Sequence, residues 1–333
     1  MSGILNPELD SILEGSSRSF YLSLKELPRS VRPQISLLYM LARTSDTIAD
    51  SEKGGFEERL NALESYNRFS QGLSDSLPSM ATLSDLQENE SEAALLMCIR
   101  GMVSKIAEFS KSDQEEIRRC LSVIISGQIL DLQRFSSNGV EISSLSVDEE
   151  LDDYAYRVAG SVGEFWTRMS LNHLFTIDDE DKEAELFDNG IRFGKALQMI
   201  NILRDIPVDL SLGRCYIPSS RLEELNLVPE NLLDLNSMEY FRPLYNEYLD
   251  LTDEYLTSAI SYIQAIPHSQ FRLRGSCMLP VIIGRRTISM LRDKNVLDPE
   301  QRIKIDRFEI KEVMKRLVMA IPFKSSSNKI LYE

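Results

Sequence analysis

Apolar residues recur at intervals of three and four along most of the chain. The pattern is clear in RPQISLLYMLARTSDTIAD (32–50), SEAALLMCIRGMVSKIAEF (91–109) and QEEIRRCLSVIISGQILDLQRF (114–135). It continues in LDDYAYRVAGSVGEFWTRMSLNHLF (151–175), FDNGIRFGKALQMINILRDI (187–206) and YFRPLYNEYLDLTDEYLTSAISYIQAI (240–266). That spacing keeps one stripe of an α-helix apolar. No run alternates apolar and polar with the period of a strand, and no strand–helix alternation suggests a parallel sheet. The pattern therefore predicts an all-α fold. Polar, aperiodic stretches at 70–92, 136–150 and 209–231 mark loops, the last holding Gly213, Pro218 and Pro229. None is long enough to separate independent domains. One domain is expected over 1–333, with its core at about 10–320, and no internal repeat or low-complexity tract interrupts it.

Composition narrows the function. The chain has 333 residues, 43% of them hydrophobic, which is enough for a sizeable core. Its 37 Lys and Arg face 52 Asp and Glu, a net charge of -15. Such a balance argues against nucleic-acid binding and against broad attraction to anionic lipid. The cysteines Cys98, Cys120, Cys215 and Cys277 lie too far apart for a metal or redox motif and read as reduced thiols. With only two histidines, His173 and His268, far apart in sequence, the chain argues against a His-rich zinc site and a Ser-His-Asp triad. The N-terminus lacks the basic and apolar regions of a signal peptide, and no apolar run approaches a membrane span. A cytoplasmic protein is expected, meeting membranes peripherally if at all.

Two stretches carry candidate chemistry. LARTSDTIADS (41–51) sets Asp46 and Asp50 four apart with Arg43 one turn upstream, in otherwise apolar sequence. QMINILRDIPVDLSLGR (198–214) repeats the arrangement with Asp205 and Asp209, with Arg204 adjacent and Asn201 one turn before. Residues at i and i+4 share a helix face. Two such pairs on facing helices would aim four carboxylates into one cavity. Magnesium takes oxygen ligands and keeps waters and substrate phosphates beside one or two carboxylates. Arginine forks suit the remaining phosphate charge. A single pair on a solvent face carries no chemistry. Two pairs, each with an arginine and each within apolar sequence, favour a magnesium–diphosphate site.

These residues carry a family resemblance. SRSF (17–20), YMLARTSDTIAD (39–50), YAYRVAGSVG (154–163) and QMINILRDIPVDLSLGRCYIP (198–218) occur in order. The chain thereby resembles the squalene and phytoene synthases, the head-to-head prenyl synthases, and most the bacterial squalene-synthase type. The resemblance implies a single isoprenoid-synthase-type helical bundle around a central cavity. It implies condensation of two prenyl diphosphates through a cyclopropylcarbinyl diphosphate. Asp46 and Asp50 would hold magnesium on one side, and Asn201, Asp205 and Asp209 on the other. Ser17, Arg18, Arg43, Arg204 and Arg214 would contact diphosphate, and Gln198 would line the cavity. Tyr39 and Tyr154 would stand near the reacting carbons. Taken singly, such tyrosines are more often core aromatics, and Ser17 could simply cap a helix. Two departures stand out: Ala49 replaces an acid often found before the second aspartate, and Pro207 interrupts the second motif. The proline predicts a kink or end near Leu203–Ile206, leaving Asp209 off the ideal face.

The product is read from three weaker signals: YAYRVAGSVG, RGSCMLPVIIGRRTISMLR (274–292) and RIKIDRFEI (302–310). The last places Lys304 and Arg307 where squalene synthases hold the NADPH phosphate. Squalene from two farnesyl diphosphates, with magnesium and NADPH, is expected. Presqualene diphosphate, dehydrosqualene and phytoene are alternatives, and a non-catalytic prenyl-lipid-binding relative ranks low because both acid pairs are intact. SRSF and GRCYIP argue against a head-to-tail prenyltransferase or terpene cyclase.

Overall fold

The computed structural model describes residues 7–51, 55–135, 142–301 and 303–332. It is helical nearly throughout, as the periodicity predicts. Its contacts group into two compact units, Met1–Gln133 with Phe165–Ile177, and Arg134–Glu164 with Asp178–Glu333. The chain thus passes between them three times.

The first unit contains α1 (Pro7–Glu26), α2 (Arg32–Ala49), α3 (Phe56–Ser70), α4 (Ala81–Asp85), α5 (Glu90–Met97), α6 (Ile99–Lys105) and α7 (Lys111–Arg134). Helix α2 buries Ile35, Leu37, Leu38, Met40, Leu41 and Ile48. Six such side chains contribute on the order of 10 kcal/mol of burial free energy. Its second half is polar yet packed, and the hydroxyls explain how. Thr44 Oγ1 donates to Met40 O at 2.8 Å, Ser45 Oγ to Ala42 O at 2.7 Å, and Thr47 Oγ1 to Arg43 O at 2.9 Å. These groups are satisfied by their own helix backbone. Helix α3 braces the end: Tyr66 Oη donates to Leu41 O at 2.9 Å, and Arg59 Nη1 donates to the Ala49 carbonyl at 2.9 Å. A cation on the last carbonyls also meets the negative end of the helix dipole. The single helix expected over 91–109 is divided at Cys98, whose N–H is shared between the Ala94 and Leu95 carbonyls. Sharing tightens that turn and bends the segment. Leu95, Ile99, Met102 and Ile106 keep their spacing and stay buried.

The second unit contains α8 (Asp148–Ala155), α10 (Glu180–Arg204), α11 (Ile206–Ser211), α12 (Ser219–Glu223), α13 (Met238–Ala265), α14 (Phe271–Asp293), α15 (Arg307–Ala320) and α16 (Lys324–Ile330). Between α8 and α9 (Ser161–His173) lies one wide π-helical turn, Tyr156–Gly160. From Phe165 onward α9 belongs to the first unit. Leu203, Phe241, Tyr245, Leu249, Leu256 and Leu291 lie in the core of the second unit. Two glycines let backbones touch. A Cβ on Gly163 would lie 1.9 Å from Gly190 O, and one on Gly194 would lie 2.1 Å from Ala159 O. The stretch 209–231, expected as loop, instead holds the end of α11, the strand β2 (Arg214–Cys215) and α12. Gly213 and Pro218 cut it into pieces too short to show a period. β2 pairs in parallel with β1 (Ser143–Ser144), Ser143 opposite Arg214.

Candidate functional site

The first set of candidate residues lies on α2. With the hydroxyls satisfied internally, Arg43 and Asp46 are the half-buried charges of this stretch. Arg43 Nη2 donates to Glu92 Oε1 at 2.6 Å, and its Nη1 lies 3.8 Å from Asp46 Oδ2. Burial works against the Arg43 charge, but Asp46 and Glu92 more than offset it and hold the guanidinium above its ordinary value. Gln128 on α7 donates its amide to Asp46 Oδ1 at 2.5 Å. Asp46 is ringed by protein, yet its side chain keeps 43% of its accessibility, so water reaches the carboxylate. Its carboxyl is pushed up to about 6, first by burial and then by the charge of Asp50, against the pull of Arg43 and Gln128. Asp50 caps α2, its N–H bonded to Asp46 O at 2.8 Å, and is exposed. Tyr39 is half-buried on the same helix, close enough for its hydroxyl to raise Arg43 further.

The second set lies at the end of α10. Gln198, Asn201 and Asp205 stand at i, i+3 and i+7, one face, while Met199, Ile200, Ile202 and Leu203 fill the other with core contacts. Helix α10 stops at Arg204, and Pro207 falls in the first turn of α11, where its missing donor costs little. The predicted break is present, but the turn continues across it: Asp209 N donates to Asp205 O at 2.9 Å. Asp209 therefore remains one helical turn from Asp205. Arg204 grips its neighbour with both prongs, Nε to Oδ1 at 2.8 Å and Nη2 to Oδ2 at 2.5 Å. That bond, ahead of the opposing effect of burial, holds Arg204 above its ordinary value, and the Asp205 and Asp209 charges add to it. Arg214 is set on β2 directly after Gly213, whose φ of +75° ends α11. Asp209 and Arg214 share a cleft of about 10 Å³, space for one water at most.

Tyr154 on α8 lies flat against Tyr216, ring centroids 5.0 Å apart, and accepts a bond from the Tyr216 hydroxyl at 3.4 Å. Phe135 meets the other side of Tyr216 edge-on at 5.1 Å. The wide turn that follows Tyr154 is the kind of helical irregularity that gathers at functional sites. Lys304 is exposed between buried Ile303 and Ile305. The side chains of Ser17, Arg18 and Arg307 lie outside the described residues. Sequence reasoning missed Glu92, Gln128 and Tyr216. Glu92 stood at the edge of a polar stretch. Gln128 was one polar letter on an apolar helix, with buried Asp131 one turn further on as the available signal. Neither histidine joins either set: His173 Nε2 bonds Asp113 at 2.8 Å, and His268 Nε2 meets Pro322 O at 3.2 Å.

A groove of about 600 Å³ lies elsewhere in the second unit, and no predicted site residue lines it. Its two cations are already engaged, Lys195 by Asp152 at 2.7 Å and Arg221 by Asp148 at 2.7 Å, so it presents little to an anion. Among the described residues, no three of His, Cys, Asp and Glu converge to cage a metal unaided. The donors present are oxygen pairs, and the buried Oε1 of Gln128 has no partner beside Asp46. Such a set fits magnesium, which completes its shell with water and phosphate oxygens.

Comparison with known proteins sets the family. The family model described as squalene/phytoene synthase matches residues 13–309. A bifunctional lycopene cyclase/phytoene synthase of Blakeslea trispora is 26% identical over 82% of this chain, which spans 43% of that protein's length. A presqualene diphosphate synthase of Zymomonas mobilis subsp. mobilis is 30% identical over 65% of this chain and 62% of its own. The fold is that of the TcSQS complex with the ligand BPH1237, with a TM-score of 0.76 at 18% identity, covering 98% of this chain and 89% of that one. With nearly its whole length matched, the chain belongs to the squalene/phytoene synthase family.

Proposed function

We propose that this protein condenses two farnesyl diphosphates head to head, through presqualene diphosphate, to squalene. One observation carries the reading: two one-turn aspartate pairs, each in contact with an arginine, within a chain matched over 13–309 by the family model. In the first half-reaction the C1–O bond of one substrate breaks and diphosphate leaves. The C2–C3 double bond of the second substrate attacks that carbon, and loss of a proton closes the cyclopropane. Magnesium, when bound, neutralises the departing diphosphate. Asp46 and Asp50 would hold it in the first unit, and Asn201, Asp205 and Asp209 in the second. Arg43, Arg204 and Arg214 would meet phosphate oxygens, and Arg204 would turn from Asp205 to do so. Tyr154, stacked on Tyr216, would relay the proton. In the second half-reaction the remaining C–O bond breaks and the cation rearranges; NADPH, when bound, would supply the hydride that quenches it, and Lys304 and Arg307 would contact its phosphate.

The phytoene synthases among the relatives support a second reading, phytoene or dehydrosqualene formed by proton loss without NADPH. Incubation with farnesyl diphosphate and magnesium, with and without NADPH, separates the two. Squalene only with NADPH, and presqualene diphosphate without it, is the expected outcome. Phytoene from geranylgeranyl diphosphate, with farnesyl diphosphate left unused, would overturn it.

A further inference from the structure

The chain's charge is unevenly placed. Residues 302–333 carry eight of the 37 Lys and Arg but four of the 52 Asp and Glu, a net of +4 against -19 for the rest. Exposed apolar side chains gather in the same stretch. Phe308 is 72% exposed, Val318 69%, Met319 67% and Phe323 65%. Helix α15 turns its other side to the core: Val313 and Leu317 are buried, and Glu309 pairs with Arg286 of α14 at 2.6 Å. Ile321 lies so close to α14 that a Cβ on Gly275 would stand 2.7 Å from its Cδ1. Phe308, Lys311, Lys315 and Val318–Met319 fall at i, i+3, i+7 and i+10 to i+11, one outward face, which Phe323 and Lys324 follow. Lys315 pairs with Glu312 at 2.6 Å, and Lys311, Lys324 and Lys329 are exposed around it.

We propose that this outer face of α15, with Phe323 and Lys324, docks on an anionic lipid bilayer. Large apolar side chains interleaved with lysines are the composition of an interfacial helix, whose binding adds apolar insertion to charge attraction. The -19 elsewhere does not cancel it, because charges beyond a Debye length of about 8 Å are screened at physiological salt. A helix fixed on its inner side by α14 presents the face preformed, with no folding to be done at the membrane. The inference stands on the surface alone and is independent of the product assignment.

Co-sedimentation of the full chain with phosphatidylcholine vesicles, with and without phosphatidylglycerol, tests it. Binding is expected to the anionic vesicles and to weaken with salt. It should fall about tenfold or more in Lys311→Glu/Lys324→Glu, and similarly in Phe308→Ser/Met319→Ser. Unchanged circular dichroism and thermal midpoints would show that these variants fold. Three results would each overturn the proposal: no binding by the folded wild type, equal binding by the variants, or a self-association that the variants abolish while vesicles stay unbound.

Discussion

At the residue scale the informative group is Asp46. Its folded carboxyl titrates at about 6, above the roughly 3.9 of an unfolded aspartate. The folded state therefore holds the proton more tightly, and this group's stabilising contribution is full below about pH 4 and lost as pH rises through 6. A rise from about 3.9 to about 6 corresponds to about 3 kcal/mol, which solvent screening of a side chain 43% exposed reduces to about 1 kcal/mol. Metal-free Asp46→Asn should thus be more stable than wild type at pH 7.5, by about 1 kcal/mol in urea melts, and indistinguishable at pH 4. The same melts with magnesium and diphosphate should raise the wild type above the variant. Gln128→Leu should raise the magnesium concentration needed for half-maximal stabilisation about tenfold, since groups that orient a ligand matter nearly as much as ligands. The aspartates and arginines were legible in the sequence because their spacing is local. Glu92 and Gln128 were not, because they reach Arg43 and Asp46 across 49 and 82 residues, and nothing in the letters registers that approach.

At the element scale the helices followed from periodicity, and the exceptions have physical causes. The α5–α6 bend leaves every buried position on its original face, so a hydrophobic pattern does not reveal it. The break at Asp205 was visible because proline removes a donor, but its consequence was misjudged. A proline in the first turn of a new helix is tolerated, so the Asp209–Asp205 bond survives. Helix contacts through glycine are equally hidden in sequence. Gly194→Ala would drive a methyl into the Ala159 carbonyl and should cost about 2 kcal/mol, read as a lower thermal midpoint. Gly101→Ala, with open space around it on α6, should raise stability by about 0.5–1 kcal/mol. Equal effects at both positions would contradict the close approach of α10 to the π-helical turn.

Across the whole molecule, averages mislead and distributions inform. A net charge of -15 predicts little attraction to anionic lipid, while the stretch 302–333 is positive and studded with exposed apolar residues. Among the described residues no helix is long and apolar enough to cross a membrane. None of the four cysteines is joined in a disulfide, with Cys120, Cys215 and Cys277 buried and Cys98 partly open. Burial pushes the Cys215 thiol up to about 12. A native-state thiol probe should therefore label Cys98 first and the other three only on denaturation. The central claim is that both aspartate pairs serve one prenyl condensation. Its most direct test is presqualene diphosphate formation from farnesyl diphosphate and magnesium, without NADPH, in the wild type beside Asp46→Asn and Asp205→Asn. Turnover in the wild type, abolished by chelation and reduced at least about 100-fold in each variant, is the predicted result. Turnover in either variant equal to that of the wild type would contradict it.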